Sequence, residues 1–168
     1  MMDDTEINHF EAFLKVLKAF EEASVDYILI GGYAVILHGL PRFTVDMDFF
    51  IKMVDENIQK LRKALFEVFE DEDIQEITFH ELEKYPVIRY GTPDGFHIDI
   101  MAHLGELASY DDLRYEIMEI EGQKIRVATP ESLLKLKENT VRPEDKVDAL
   151  FLKELLKRRE KRDADRKI

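Results

Sequence analysis

Apolar residues first recur at helical spacing. Ile7, Phe10, Leu14, Leu17 and Phe20 fall three to four positions apart, which predicts an amphipathic helix over about residues 5–23. A short continuous apolar run at 25–30 then reads as a buried strand, followed by Gly31-Gly32 and a short helix over 33–39. Pro41 is expected to stop that helix, leaving 40–43 as a loop. A second strand is predicted at 45–51. Asp55 is placed as the cap of a helix over 55–69, with Ile58, Leu61, Leu65, Val68 and Phe69 on one side. Residues 74–79 read as a weak strand. Strands at 86–90 and 96–101 flank the turn Thr92-Pro93-Asp94-Gly95, and strands at 115–120 and 124–128 flank Glu121-Gly122, giving two hairpins. Thr129-Pro130-Glu131 starts a helix expected to reach about Asn139, because threonine caps and proline suits the first turn. Pro143 opens a last long helix, whose buried face is expected to carry Val147, Leu150, Phe151 and Leu155. The order predicts an α+β fold, a mixed sheet flanked by helices. Residues 1–128 form its core, and a helical C-terminal segment, 129–168, packs on it.

Within this pattern lies the chemistry. With thirteen residues between, Gly31-Gly32 is followed by the second strand, which carries Asp46 and Asp48. Side chains alternate along a strand, so the two carboxylates point the same way, about 6–7 Å apart. Paired carboxylates suit a hard cation such as Mg²⁺ or Mn²⁺. The glycine pair lets backbone approach a ligand closely, and the N–H groups of the helix that follows attract an anion. A metal site beside a phosphate cradle is what phosphoryl or nucleotidyl transfer requires.

A third carboxylate sits at Asp99. In the run 96–101, Phe96, Ile98 and Ile100 take one face, and His97, Asp99 and Met101 take the other. An aspartate in a strand otherwise fit for burial is costly unless paired or metal-bound. If this strand lies beside the Asp46 strand, Asp99 completes the cluster, holds a second metal and takes the proton of an attacking hydroxyl. Arg42 and Thr44 stand in the loop before the aspartates, where a guanidinium can clamp a triphosphate. His38 either contacts a nucleotide or closes its helix structurally, and His97 reads as a strand histidine.

Composition narrows the class. The 168 residues are 45% apolar, enough for one domain with a core, and contain no cysteine, which excludes disulfides and thiolate chemistry. No apolar run approaches the roughly 20 residues of a membrane span, and no signal-peptide pattern opens the chain, so a cytoplasmic protein is expected. A net charge of −12 argues against indiscriminate nucleic-acid binding. The basic stretch 153–167 reads as a solvated helix end suited to the C-terminal dipole, with RNA or nucleotide contact as the other reading. Charged residues make up 36% of the chain, a composition like that of hyperthermophile proteins.

Gly31-Gly32-Tyr33-Ala34, His38-Gly39 and Arg42-Phe43-Thr44-Val45-Asp46-Met47-Asp48, with Asp99 on a later strand, resemble the DNA polymerase β-type nucleotidyltransferase superfamily. The nearest resemblance is to the small prokaryotic branch that includes AbiEii-type toxins of toxin–antitoxin systems. Residues 129–137 and the segment from Arg142 to Asp148 also resemble that branch. The resemblance implies a mixed sheet, two Mg²⁺ ions and a nucleoside triphosphate donor. It implies that Gly31, Gly32, Tyr33, Arg42 and Thr44 hold the nucleotide, that Lys137 or Lys135 touches phosphate, and that Asp145 or Asp148 supports that lysine. The expected activity is transfer of NMP to a hydroxyl of a small molecule, protein or tRNA. The alternative is a catalytically silent nucleotide-binding partner in a toxin–antitoxin pair. A DxD glycosyltransferase would share the metal pair but leaves the glycine helix and Asp99 unexplained. Tyr85, Tyr90 and the C-terminal helices are candidate walls of an acceptor pocket.

Overall fold

The buried run Tyr27–Ile30 forms strand β1, at the centre of a six-stranded sheet in the computed structural model, which describes residues 4–104, 108–137 and 143–166. Before it runs helix α1 (Asp4–Glu22), and after it come α2 (Gly31–Leu37), β2 (Met47–Ile51) and α3 (Asp55–Phe69). Then follow a 3₁₀ turn (Glu72–Glu76), α4 (Phe79–Lys84) and the strands β3 (Ile88–Gly91) and β4 (His97–Met101). A small separate ribbon, β5 (His103–Leu104) and β6 (Ala108–Ser109), leads to the hairpin β7 (Tyr115–Ile120) and β8 (Gln123–Ala128). Helices α5 (Pro130–Lys137) and α6 (Pro143–Arg166) end the described chain. The sheet order is β3-β4-β2-β1-β8-β7. β1–β8 and β2–β4 are parallel and the other pairs antiparallel, so the sheet is mixed and flanked by helices.

Alternation along β2 divides the sheet into two faces. Met47, Phe49 and Ile51 are buried on one, where Phe20 of α1 meets Phe49 edge-on with ring centroids 4.9 Å apart. Helices α1 and α3 pack on each other over this face. Buried Asn57 of α3 ties the layer to two strand ends: its Oδ1 accepts from Asp26 N–H, and its Nδ2 donates to the carbonyls of Asp26 and Lys52. The opposite face carries Asp48, paired in register with Ile30, and α2 and α5 lie beside it.

Several local readings change. Residues 74–79 are not a strand: Asp71 accepts from Asp73 N–H to start the 3₁₀ turn, and Thr78 accepts from Glu81 N–H to start α4. These side-chain caps outweigh the apolar character of Ile74 and Ile77, buried respectively in the 3₁₀ turn and in the extended residue that closes it. Helix α3 is capped at Val54, so Asp55 lies in its first turn, where a carboxylate suits the dipole. Helix α2 begins at Gly31, and it ends at Leu37, ahead of Pro41. Its C-cap is His38, and Gly39 follows at φ +117°. On α6 the buried residues are Asp145, Asp148 and Leu152, whereas Val147 and Leu150 are 57% and 66% exposed. The expected end of α5 at Asn139 and the residue Arg142 lie outside the described residues, as does the side chain of Ile7. Both hairpins are present, the second turning through Glu121 (φ +50°) and Gly122 (φ +81°), the mirror-image turn that two-residue hairpins favour. Thr129 Oγ1 accepts from Ser132 N–H, capping α5. Among the described residues no helix is long and apolar enough to cross a membrane.

Candidate active site

Strands β2 and β4 lie side by side and parallel, with Asp48 opposite Asp99 in register. The strand that bears Asp99 is therefore the neighbour of the strand that bears the paired aspartates. Asp46 stands just before β2, where its Oδ1 accepts from His97 N–H at 2.9 Å. All three carboxylates line one pocket of about 300 Å³, together with Gly31, Gly32, Arg42, Thr44 and Lys137. Burial first, then the charge of Asp99, push the Asp48 carboxyl up to about 7, while Lys137 pulls it down. Asp48 thus sits between a like charge across the strand pair and a cation from α5.

The glycines have specific occupants beside them. Gly31 takes φ +71°, and a Cβ there would overlap the Asp48 carboxylate and lie 2.8 Å from its Cβ. A Cβ on Gly32 would lie 2.7 Å from Arg42 Nη2 and 2.9 Å from Thr44 Oγ1. The pair therefore lets one carboxylate and one guanidinium rest against the start of α2, whose first turn has no side-chain cap. Tyr33 is placed differently from the other candidates. Its ring stacks on Phe13 in the core (centroids 4.1 Å apart, planes 7° apart), leaving the pocket wall to its neighbours. Burial and then Asp46 push its hydroxyl up to about 12.

The C-terminal helices close the pocket through charge. Lys137 Nζ lies 3.0 Å from Asp145 and 2.9 Å from Asp148, both buried on α6. Arg42 Nη1 contacts both Asp148 oxygens at 2.9 Å. The loop before β2, α5 and α6 are thereby joined at one fully buried carboxylate, which two cations compensate. Lys135 points elsewhere, to a groove with Asp112 and Arg114, so of the two lysines it is Lys137 that lines the pocket.

Other candidates fall away from the pocket. The His38 side chain is buried, with its Nε2 2.8 Å from the Ala128 carbonyl, a structural link between α2 and β8. Tyr90 donates to Asp71 at 2.7 Å, and Tyr85 lines a separate groove with Glu81 and Val87, so neither walls this pocket. One pocket residue escaped the sequence reading. Arg89 on β3 donates through Nε and Nη2 to the two oxygens of Asp99, at 2.9 and 3.0 Å. The expected turn hid it: pairing outward from 92–95 sets Arg89 opposite Ile98, whereas Thr92 pairs with Phe96 across a three-residue loop and brings Arg89 opposite Asp99. The hydrogen bond to Asp99, then its charge and those of Asp46 and Asp48, hold the Arg89 proton more firmly than usual. The apolar pocket wall of Met101, Leu104, Leu133 and Leu136 was equally illegible, because it joins β4, the small ribbon and α5.

Carboxylate oxygens are the donor set that Mg²⁺ and Mn²⁺ prefer, and Asp48 and Asp99 stand opposite each other in register in one pocket. Among the described residues, no group of three or more His, Asp or Glu side chains already stands in metal-holding geometry, and Arg89 engages both Asp99 oxygens. The donor chemistry fits a divalent ion once those side chains adjust.

Comparison with solved structures places this architecture. The lincomycin-bound lincosamide antibiotic adenylyltransferase LnuA superposes with a TM-score of 0.56 at 18% identity, covering 86% of this chain and 96% of that one. An antigenic nucleotidyltransferase-like protein from Paracoccidioides brasiliensis gives 0.53 at 20% identity, covering 84% and 74%. JHP933 from Helicobacter pylori gives 0.50 at 19% identity, covering 90% and 67%. At these identities the likeness establishes a shared nucleotidyltransferase-like fold. No curated protein matches the sequence. Residues 9–167 match a family model described as "Nucleotidyl transferase of unknown function (DUF2204)", and with nearly the whole described chain inside that match, the protein belongs to this nucleotidyltransferase family.

Proposed function

We propose that the protein transfers a nucleoside monophosphate from a nucleoside triphosphate to a hydroxyl of an acceptor. The observation that carries this reading is the register pairing of Asp48 with Asp99 in one pocket with Arg42, Lys137 and the glycine start of α2. Carboxylates and cations face each other across a space of about 300 Å³, a division that suits a polyanion with counter-ions.

The α2 backbone at Gly31, Gly32 and Tyr33, the hydroxyl of Thr44 and the cations Arg42 and Lys137 hold the triphosphate. Asp145 and Asp148 keep Lys137 in place, and Asp148 also anchors Arg42. Asp99 takes the proton of the acceptor hydroxyl as its oxygen bonds to the α-phosphorus and the bond to pyrophosphate breaks. Asp46, Asp48 and Asp99 are the residues that would hold Mg²⁺ or Mn²⁺, which supplies neutralisation of phosphate charge when bound. The kinship with AbiEii-type toxins, and with it a cognate antitoxin partner, belongs to this proposal on the motif string alone. The acceptor class stays open among small molecules, proteins and tRNA.

The test uses α-labelled nucleoside triphosphates with purified protein, tRNA and host lysate, scoring label on any acceptor. Asp99→Asn should keep nucleotide binding and lose transfer by orders of magnitude. Undiminished transfer by Asp99→Asn rejects the three-carboxylate mechanism. Nucleotide binding without transfer across a broad acceptor panel favours the silent, regulatory reading.

A further inference from the structure

Strand β3 turns Ile88 and Tyr90 to one side and Arg89 to the other, where it meets Asp99 in register. The guanidinium forks over both Asp99 oxygens. The partners differ in setting: the Arg89 side chain is 57% exposed, that of Asp99 only 16%. The cation reaches in from the sheet edge, and the carboxylate is the fixed, inner member. Arg89 also lines the same pocket as Asp46 and Asp48. A divalent ion that ligates Asp99 must compete with a cation already seated on the same oxygens.

We propose that Arg89 is a positioning residue, the resident counter-ion of Asp99, which makes divalent-ion uptake depend on nucleotide. This rests on the nucleotidyl-transfer reading above. Without nucleotide, the fork holds Asp99 in place opposite Asp48 and opposes entry of a second positive charge. With nucleotide, phosphate oxygens add negative ligands and the balance shifts to the ion. Arg89 is free to leave, because it sits on an edge strand with a long, largely exposed side chain. Lysine cannot reproduce the fork, since its ammonium is a point charge with no planar pair of donors.

The experiment is a Mn²⁺ titration read by electron paramagnetic resonance of the free ion, which needs no turnover. It compares the wild type, Arg89→Gln, Arg89→Lys, Asp99→Asn and the Arg89→Gln, Asp99→Asn double variant. Each is titrated with and without a mixture of non-hydrolysable analogues of the common nucleoside triphosphates. Without nucleotide, Arg89→Gln should bind Mn²⁺ about three- to fivefold more tightly than the wild type, the upper range for a pair with one exposed partner. Arg89→Lys should fall between, the gain should shrink with nucleotide present, and it should vanish in the Asp99→Asn background. Equal Mn²⁺ affinity in wild type and Arg89→Gln overturns the proposal. So does loss of metal-free nucleotide binding in Arg89→Gln with Mn²⁺ affinity unchanged, which makes Arg89 a phosphate clamp. A wild type that binds no Mn²⁺ even with the analogues overturns the metal reading itself, and this inference with it.

Discussion

Removing the charge of Asp48 should stabilise the metal-free protein, by an amount that grows as pH rises from about 4 to about 7. Asp48 ionises at about 7 in the fold against 3.8 for the free side chain, because burial and Asp99 oppose its negative charge. Between these values the folded protein binds more protons at this position than the unfolded chain. Stability therefore falls as pH rises through the window. The shift is about three units, and at 1.36 kcal/mol each it amounts to at most about 4 kcal/mol, fully developed above pH 7 and nearly absent by pH 4. For a chain of this size 1 kcal/mol moves the melting temperature by about 2–4 °C, so Asp48→Asn should melt roughly 8–16 °C above the wild type at pH 8. At pH 4 the two should melt within a few degrees of each other. The assay is thermal unfolding by circular dichroism in EDTA over a pH series. Titrations away from the cluster are common to both proteins, so their difference reports Asp48 together with its coupling to Asp99 and Asp46. A difference that is flat with pH, or a variant less stable at pH 8, would refute the reasoning.

Other outcomes follow from the same geometry. Gly32→Ala should fold with an unchanged circular dichroism spectrum yet lose nucleotide binding by calorimetry, because its Cβ displaces Arg42 and Thr44; tight binding in the folded variant would put the phosphates elsewhere. Lys137→Met should destabilise by about 3 kcal/mol in urea unfolding, since buried Asp145 and Asp148 lose a shared cation, whereas Lys135→Met should cost less than about 0.5 kcal/mol. Tyr90→Phe should cost about 1 kcal/mol through its bond to Asp71, with nucleotide binding untouched; altered binding would return Tyr90 to the site.

The strands and helices that carry the pocket were legible because their periods are clean. The alternation around Asp99 placed Ile98 and Ile100 inside, and both are fully buried. The spacing of Ile58, Leu61 and Leu65 likewise gave the buried side of α3. Where the pattern misled, polar contacts had overridden it. On α6, apolar Val147 and Leu150 face outward because Asp148 must meet Arg42 and Lys137, and an isolated helix pattern contains no sign of either partner. Tyr33 was drawn toward the site by its place after the glycines, yet its ring belongs to Phe13 in the core. Arg89 shows the opposite error. Its place opposite Asp99 depends on a loop of three residues, 93–95, where the expected four-residue turn sets it opposite Ile98 on the other face.

The junction at Asp148 also bears on synthesis. Arg42 and Asp148 are 106 residues apart in sequence, and the parallel pairing of β1 with β8 spans almost as much chain. A nascent chain that has exposed the glycine turn and all three pocket aspartates still lacks the partner that anchors Arg42 and Lys137. The ribosome must deliver α6 before those cations are fixed, so the cationic wall of the pocket is among the last parts of the molecule to form. An incomplete chain consequently carries Arg42 and Lys137 without the buried carboxylates that fix them, so the pocket takes its final shape only when the chain is nearly complete.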